Sequence, residues 1–303
     1  MNAAPPSDSD RFADENSAKA DFDALYAAET PHAYMRAMLE LDYRISERAR
    51  PFFLAAVELL RARNGAAWPV QMLDVGCSYG VGAATLKYGC SFGELAEFFA
   101  GRAPRAYGPC VEATRKWLEA TPPRQELRAV GLDTSAPALR FARDARLIQG
   151  ALESDFEGDA EPTADEAAWL RGCNLVLSSG AIGYVTERSF HKLLPLLGRD
   201  HPGEVGPLGV FSILRMFDTQ ALEGCFADHG WRLTQLPGVY LPQRRFADAA
   251  ERDGILSVLR ERDLDPSGLE ATGWLYAGVW AAAPDAHHAA LVSALRSVAE
   301  ART

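Results

Sequence analysis

The sequence predicts a doubly wound α/β fold built on a mostly parallel sheet, and three observations carry that expectation. Short apolar runs alternate with helix-like segments: "VQMLDVG", "RAVGLDTS", "CNLVLSSG" and "LGVFSILRMF" each read as a strand leading into a loop or helix. The first two strands end in an acidic residue, Asp74 and Asp133, and the first is followed by a glycine turn. At 303 residues, with 48% hydrophobic and 24% charged residues, the chain is long enough for a large core and ordinary for a globular protein.

In chain order, residues 1–20 are polar and rich in Pro, Ser and Asp, the composition of a flexible tail. Residues 21–66 read as an N-terminal helical unit. Ala33, Tyr34, Ala37, Met38 and Leu41 share one helical face, and Phe52, Phe53, Ala56, Leu59 and Leu60 share another. Packing on the sheet and acting as a lid over a ligand are equally open for it. Residues 67–283 carry the strands. In the second unit Ser135 is the expected N-cap, with Pro137 in the first turn. Asp74 to Asp133 exceeds the spacing of a simple dinucleotide unit, so a helical insertion is expected at about residues 88–122. "ESDFEGDAEPTADEAAW" reads as an acidic surface loop. "WRLTQLPGVY" and "GWLYAGVWAAA" read as late strands able to pair antiparallel at one edge, separated by the helical "DAAERDGILSVLRERDL", and residues 284–303 as a C-terminal helix.

Composition narrows the function. A net charge of −10 argues against broad attraction to nucleic-acid phosphates. No apolar run reaches the roughly 18 residues of a membrane span, and the N-terminal stretch lacks the basic flank and apolar block of a signal peptide, so a cytoplasmic location is expected. Five cysteines without any C-x-x-C pair read as reduced thiols. His191, His201 and His229 show no metal-ligand spacing, and no metal is expected.

The glycine turn has the pattern Asp74-x-Gly76-x-Ser78-x-Gly80. Glycines here let a ligand approach the backbone, and a carboxylate at the end of the second strand can accept two ribose hydroxyls. On "LDVGCSYG", "GLDTSAPAL" and "CNLVLSSGAIGYV", the chain resembles the class I S-adenosylmethionine-dependent methyltransferases over about residues 70–282. The resemblance implies a seven-stranded Rossmann-like sheet with an antiparallel edge strand, and S-adenosylmethionine as cofactor without a metal. It also implies roles: Gly76 and Gly80 border the methionine portion, Asp74 supports its amino group, and Asp133 holds the ribose. Ser78 stands where the family often has glycine. Thr134 and Ser179 complete the implied cofactor set, with Glu153 or Asp155 at the adenine.

The sulfonium is an activated leaving group, so the protein mainly positions a nucleophile and excludes water. Tyr184, just after the fourth strand, is the leading catalytic candidate, because an aromatic face stabilises a cation by about 0.5–2 kcal/mol; Ser212 is the second. Ser178, Arg215, Tyr34 and Tyr43 are further candidates to shape the pocket, and Arg244 or Arg245 to hold a substrate carboxylate. No N/D-P-P-Y/F tetrapeptide follows the fourth strand, which disfavours nucleic-acid bases as acceptors. Methyl transfer to a small molecule is the expected reaction. "GYVTERSF" and "VFSILRMF" are also similar to methyltransferase-like azetidine-2-carboxylate synthases, which implies an alternative: cyclisation of S-adenosylmethionine itself, releasing methylthioadenosine. A non-catalytic binding protein is the third reading, disfavoured by the intact Gly76, Gly80 and Asp133.

Overall fold

The structure is a computed structural model, and it describes residue 19 and residues 23–200 and 203–302. The expected tail lies outside the described residues except for Lys19, and His201 lies outside them as well.

Seven strands form one sheet: β1 (Val70–Val75), β2 (Leu127–Asp133), β3 (Gly150–Glu153), β4 (Leu175–Ser178), β5 (Leu208–Leu214), β6 (Trp231–Arg245) and β7 (Trp274–Pro284). Their order is β3-β2-β1-β4-β5-β7-β6, with β7 antiparallel to both neighbours and the pairs among β1 to β5 parallel. Every residue of β4 and β5 is buried. Continuous apolar runs of this kind mark strands covered on both faces. The chain order reverses at β1, with β2 on one side and β4 on the other, and a crevice outside the carboxyl ends of the strands is where such sheets hold ligands. The late strands pair antiparallel as the sequence suggests, whereas the four residues of β3 were too short to be read as a strand from pattern alone.

Before β1 lie α1 (Asp23–Tyr26), α2 (His32–Glu40) and α3 (Ile45–Asn64). The helix α3 is a packing element: Phe52, Phe53, Ala56, Val57 and Leu60 are buried, and it lies against β1, β4, β5 and β6 beside the C-terminal α12 (Asp285–Glu300). Each such large side chain contributes about 1.5–3 kcal/mol by leaving water. A short α4 (Val81–Ala83) runs into a π-helical turn, Ala84–Tyr88, directly after the glycine turn. The segment between β1 and β2 then holds α5 (Phe92–Gly101), begun by a Ser91–Glu94 capping box, and α6 (Tyr107–Glu119).

Ser135 caps α7 (Ala136–Asp144), accepting from Ala138 N, with Pro137 in its first turn. The stretch expected to be an acidic loop is corrected in part: α8 (Ala164–Gly172) starts there, because Thr163 and Glu166 form a reciprocal capping box. Then come α9 (Glu187–Leu193), α10 (Gln220–Asp228) and α11 (Ala249–Glu261), the last being the helix expected between the late strands. All five cysteines are free thiols. No helix among the described residues is long and apolar enough to cross a membrane.

Candidate active site

The turn after β1 follows from its glycines. Gly76 and Gly80 have φ of 71° and 79°, in the left-handed region. A Cβ on Gly76 would fall 2.1 Å from the Ala181 Cβ, so the turn lies against the loop that follows β4. Gly82 serves Asp74 in the same way, since a Cβ there would come within 2.4 Å of Asp74 Oδ2. Ser78 has φ 48°, a conformation glycine adopts without strain. Its backbone N–H donates to Asp133 Oδ2 at 2.8 Å, and Asp133 Oδ1 accepts from Ser135 N at 2.9 Å. The acidic end of β2 thus fixes the turn after β1, and Glu153 is its register neighbour on β3.

Asp74 is 5% exposed, and its Oδ2 has no hydrogen-bond partner among the described residues. Burial lifts its carboxyl from the ordinary 3.8 to about 7; the neighbouring Asp133 charge adds to this, and the Ala83 amide pulls the other way. Burial also raises Asp133, against the Ser135, Ser78 and Thr134 amides. Two further buried polar atoms lack partners here: Ser78 Oγ and, on β6, Gln243 Oε1. Gln243 reaches the loop after β4, where a Cβ on Gly180 would lie 2.6 Å from its Nε2. The turn, the loop after β4 and β6 therefore surround buried oxygens that have lost water and gained no partner among the described residues. Such atoms are costly unless a ligand meets them.

The N-terminal segment lies across the turn and is tied to it twice. The Tyr79 hydroxyl is 2.7 Å from Ala28 O and 2.9 Å from Leu25 O, sharing one proton between them, and Ser135 Oγ donates to Tyr26 O at 2.6 Å. Tyr26, Tyr34 and Tyr79 form a chain of rings with centroids 5.4 and 5.7 Å apart. The Tyr43 hydroxyl makes a long 3.5 Å bond to Ser179 O. Burial pushes the phenols of Tyr26, Tyr34 and Tyr43 upward, so all three are neutral donors at physiological pH.

Tyr184 is 51% exposed on the loop between β4 and α9, and the Lys19 ammonium sits 4.1 Å from its ring centroid. The same ammonium is 5.6 Å from the Phe217 ring. Burial, together with the Arg244 charge, lowers Lys19 to about 7, with Glu251 opposing.

The other sequence candidates differ in exposure and in the partners they already have. Ser212 is buried in β5 opposite Val279, and Glu153, Thr134 and Asp155 are exposed. Arg215 makes a buried ion pair with Glu270 and Arg244 a bidentate pair with Glu251. Arg245 stacks on Trp274 at 4.7 Å and faces Asp42. Tyr79, Gln243 and Lys19 were missed from sequence. Tyr79 had a legible signal, an aromatic residue inside the glycine turn; Gln243 had none, because its place depends on a strand 163 residues after Gly80.

The strand order, the antiparallel β7 and the glycine turn after β1 are those of the class I methyltransferase fold. No family model and no curated protein matches the sequence. Solved structures that match include magnesium protoporphyrin IX methyltransferase from Synechocystis PCC 6803 with bound SAM, at 10% identity over 94% of this chain and 100% of that chain, TM-score 0.40. A TehB-like SAM-dependent methyltransferase from Corynebacterium glutamicum matches at 14% identity over 75% and 86% of the two chains, TM-score 0.35. The N-methyltransferase NodS from Bradyrhizobium japonicum matches at 12% identity over 79% and 97%, TM-score 0.36. The fold assignment rests on this chain's own sheet.

Proposed function

We propose that the protein is an S-adenosylmethionine-dependent transferase acting on a small molecule, with methyl transfer as its reaction. The observation that carries this reading is the set of unpartnered buried oxygens, Asp74 Oδ2, Ser78 Oγ and Gln243 Oε1, around a glycine turn at the point where the sheet order reverses. The residues fit the cofactor. Asp74 offers a carboxylate to its α-ammonium, and the Asp133 carboxylate, held by the Ser78, Ser135 and Thr134 amides, has acceptor capacity left for a ribose hydroxyl. Gly76 and Gly80 let the turn take a left-handed conformation packed against Ala181, Ala142 and Leu147.

When bound, the cofactor supplies an alkyl carbon activated by a sulfonium. The chain contributes position, dryness and electrostatics. The aromatic chain Tyr26–Tyr34–Tyr79 covers the turn and excludes water. Tyr184 offers its ring face to the sulfonium, the kind of contact its ring already makes with the Lys19 nitrogen. No dedicated base is needed for an acceptor that arrives as a neutral nucleophile.

One observation favours a second reading, cyclisation of S-adenosylmethionine to azetidine-2-carboxylate and methylthioadenosine. Ring closure needs a free α-amine, so the ligand's ammonium must lose a proton. Asp74, with one unpartnered buried oxygen and a carboxyl lifted to about 7, is suited to take that proton at neutral pH.

The deciding experiment is incubation with S-adenosylmethionine, alone and with a panel of small-molecule acceptors, followed by mass spectrometry of the nucleoside product. S-adenosylhomocysteine formed only with an acceptor supports methyl transfer. Methylthioadenosine with azetidine-2-carboxylate from the ligand alone supports cyclisation. Absence of binding by calorimetry sinks both.

A further inference from the structure

Away from the crevice, α9 and α10 bring together three side chains that lie far apart in sequence. His191 Nδ1 and His229 Nε2 are 3.1 Å apart, and their ligand atoms and the Cys225 Sγ all lie within 4.8 Å of one another. His191 is on α9, Cys225 on α10, and His229 closes α10 as its C-cap residue. We propose that His191, Cys225 and His229 form a binding site for a thiophilic divalent transition metal of the Zn2+ class.

The donor set is chemically specific. Two imidazoles and one thiol are the ligands that borderline-soft ions prefer, and hard cations such as Mg2+ take oxygen instead. The geometry is close to what the ion requires. Bond lengths of about 2.0–2.1 Å to nitrogen and about 2.3 Å to sulfur, in a tetrahedron, set donor separations of roughly 3.3–3.6 Å. The two imidazole nitrogens already stand near that separation, and the thiol needs to move inward by at most about 1.5 Å, within the reach of one χ1 adjustment. The contact between the two nitrogens is itself informative: each ring turns one nitrogen toward the other, so one of them carries a shared proton. An ion replaces that proton when the protonated ring shifts to its other tautomer, and the Cys225 proton leaves to solvent as the thiolate binds.

The surroundings suit a cation. Glu187 and Asp228 set negative charge beside the thiol, and Asp228 does the same for His229. Glu187 Oε2 is buried without a hydrogen-bond partner among the described residues, while the Cys225 thiol donates to Glu187 O at 3.5 Å. The helices are held from the inner side by the Phe190–Phe226 ring contact at 5.1 Å, so the donors stand on a packed scaffold. His191 is exposed, which leaves the fourth position to water.

The location gives the site a structural role. The helix α9 directly follows the loop that carries Tyr184, and α10 follows the segment that carries Phe217. An ion joining the two helices fixes both sides of that part of the crevice without touching the ligand.

The test uses tag-free full-length protein, reduced and stripped with chelator, then titrated with Co2+ and afterwards Zn2+. One Co2+ per chain is expected, with a thiolate-to-cobalt charge-transfer band and the strong visible absorption of a tetrahedral ion, both lost as Zn2+ displaces it. Zn2+ should also raise the Tm. Cys225→Ser should abolish the charge-transfer band. Because Cys225 is buried, His191→Ala on the exposed side is the second variant; it should fold normally, weaken Co2+ by more than about tenfold, and lose the Zn2+-dependent rise in Tm. Absence of the cobalt spectrum in the parent protein overturns the proposal, and so does a spectrum and affinity unchanged in His191→Ala.

Discussion

Raising the pH from 5 to 7 should tighten S-adenosylmethionine binding, because Asp74 must be ionised to meet the ligand's ammonium. In the ligand-free protein the Asp74 carboxyl sits at about 7 against an ordinary 3.8, so holding it ionised costs on the order of 4 kcal/mol. The ionised fraction is then about 1% at pH 5 and about 50% at pH 7, and if the bound carboxylate stays below pH 5, linkage makes the affinity rise roughly 50-fold across that window. The ligand's own amine, near pH 8, stays protonated throughout. Titration calorimetry at pH 5, 6 and 7, in buffers of different ionisation enthalpy, measures both the affinity and the protons released. Close to one proton should leave per ligand at pH 5.

Asp74→Asn should flatten the pH dependence. The sign of the stability effect is also fixed. A raised carboxyl binds its proton more tightly in the folded state, so its contribution to stability is present at low pH and is lost as pH rises from about 4 to about 7. Asp74→Asn should therefore raise the ligand-free Tm at pH 8 while leaving it nearly unchanged at pH 4. Equal ligand affinity at pH 5 and 7 in the parent protein, or a slope that survives in Asp74→Asn, refutes the assignment.

Four further outcomes are expected. Gly76→Ala sets a Cβ 2.1 Å from the Ala181 Cβ at a left-handed φ, so it should cost about 2–5 kcal/mol in denaturant unfolding and abolish ligand binding. Asp133→Ala should weaken S-adenosylmethionine by about 1.5–3 kcal/mol in calorimetry, and adenosine as a competitor should lose a similar amount if the loss lies at the ribose. Tyr79→Phe frees the carbonyls of Leu25 and Ala28, and limited proteolysis should then cut the N-terminal segment faster at a cost near 1 kcal/mol in global stability. Glu251→Ala removes the carboxylate that meets both Nη atoms of the buried Arg244 and should cost about 3–5 kcal/mol in chemical denaturation, whereas replacing both residues together by apolar side chains should cost far less.

Most of the parallel sheet was legible because its signals are local. The runs in β1, β2, β4 and β5 are apolar enough to declare strands buried on both faces, and Asp74, Gly76, Gly80 and Asp133 lie at the ends of those runs, where a short window shows both the strand and its turn. The Ser135 cap was readable for the same reason. Four-residue β3 was not, since so few residues carry no period.

The rest depended on contacts that no window contains. Strand order, and the reversal at β1, are set by which strands pair across the whole chain. The arginines Arg215 and Arg244 look alike in sequence to any ligand-binding arginine; only folding pairs them with Glu270 and Glu251, and burial then makes those pairs obligatory. The histidines at 191 and 229 show no ligand spacing, yet two helices packed through Phe190 and Phe226 set their nitrogens 3.1 Å apart. Sequence by itself determined the fold class and the glycine turn after β1, because hydrophobic period and glycine conformation are properties of neighbours along the chain. Tertiary structure alone decided which charges are paired in the interior and which buried oxygens have no partner among the described residues, because desolvation and pairing are properties of neighbours in space.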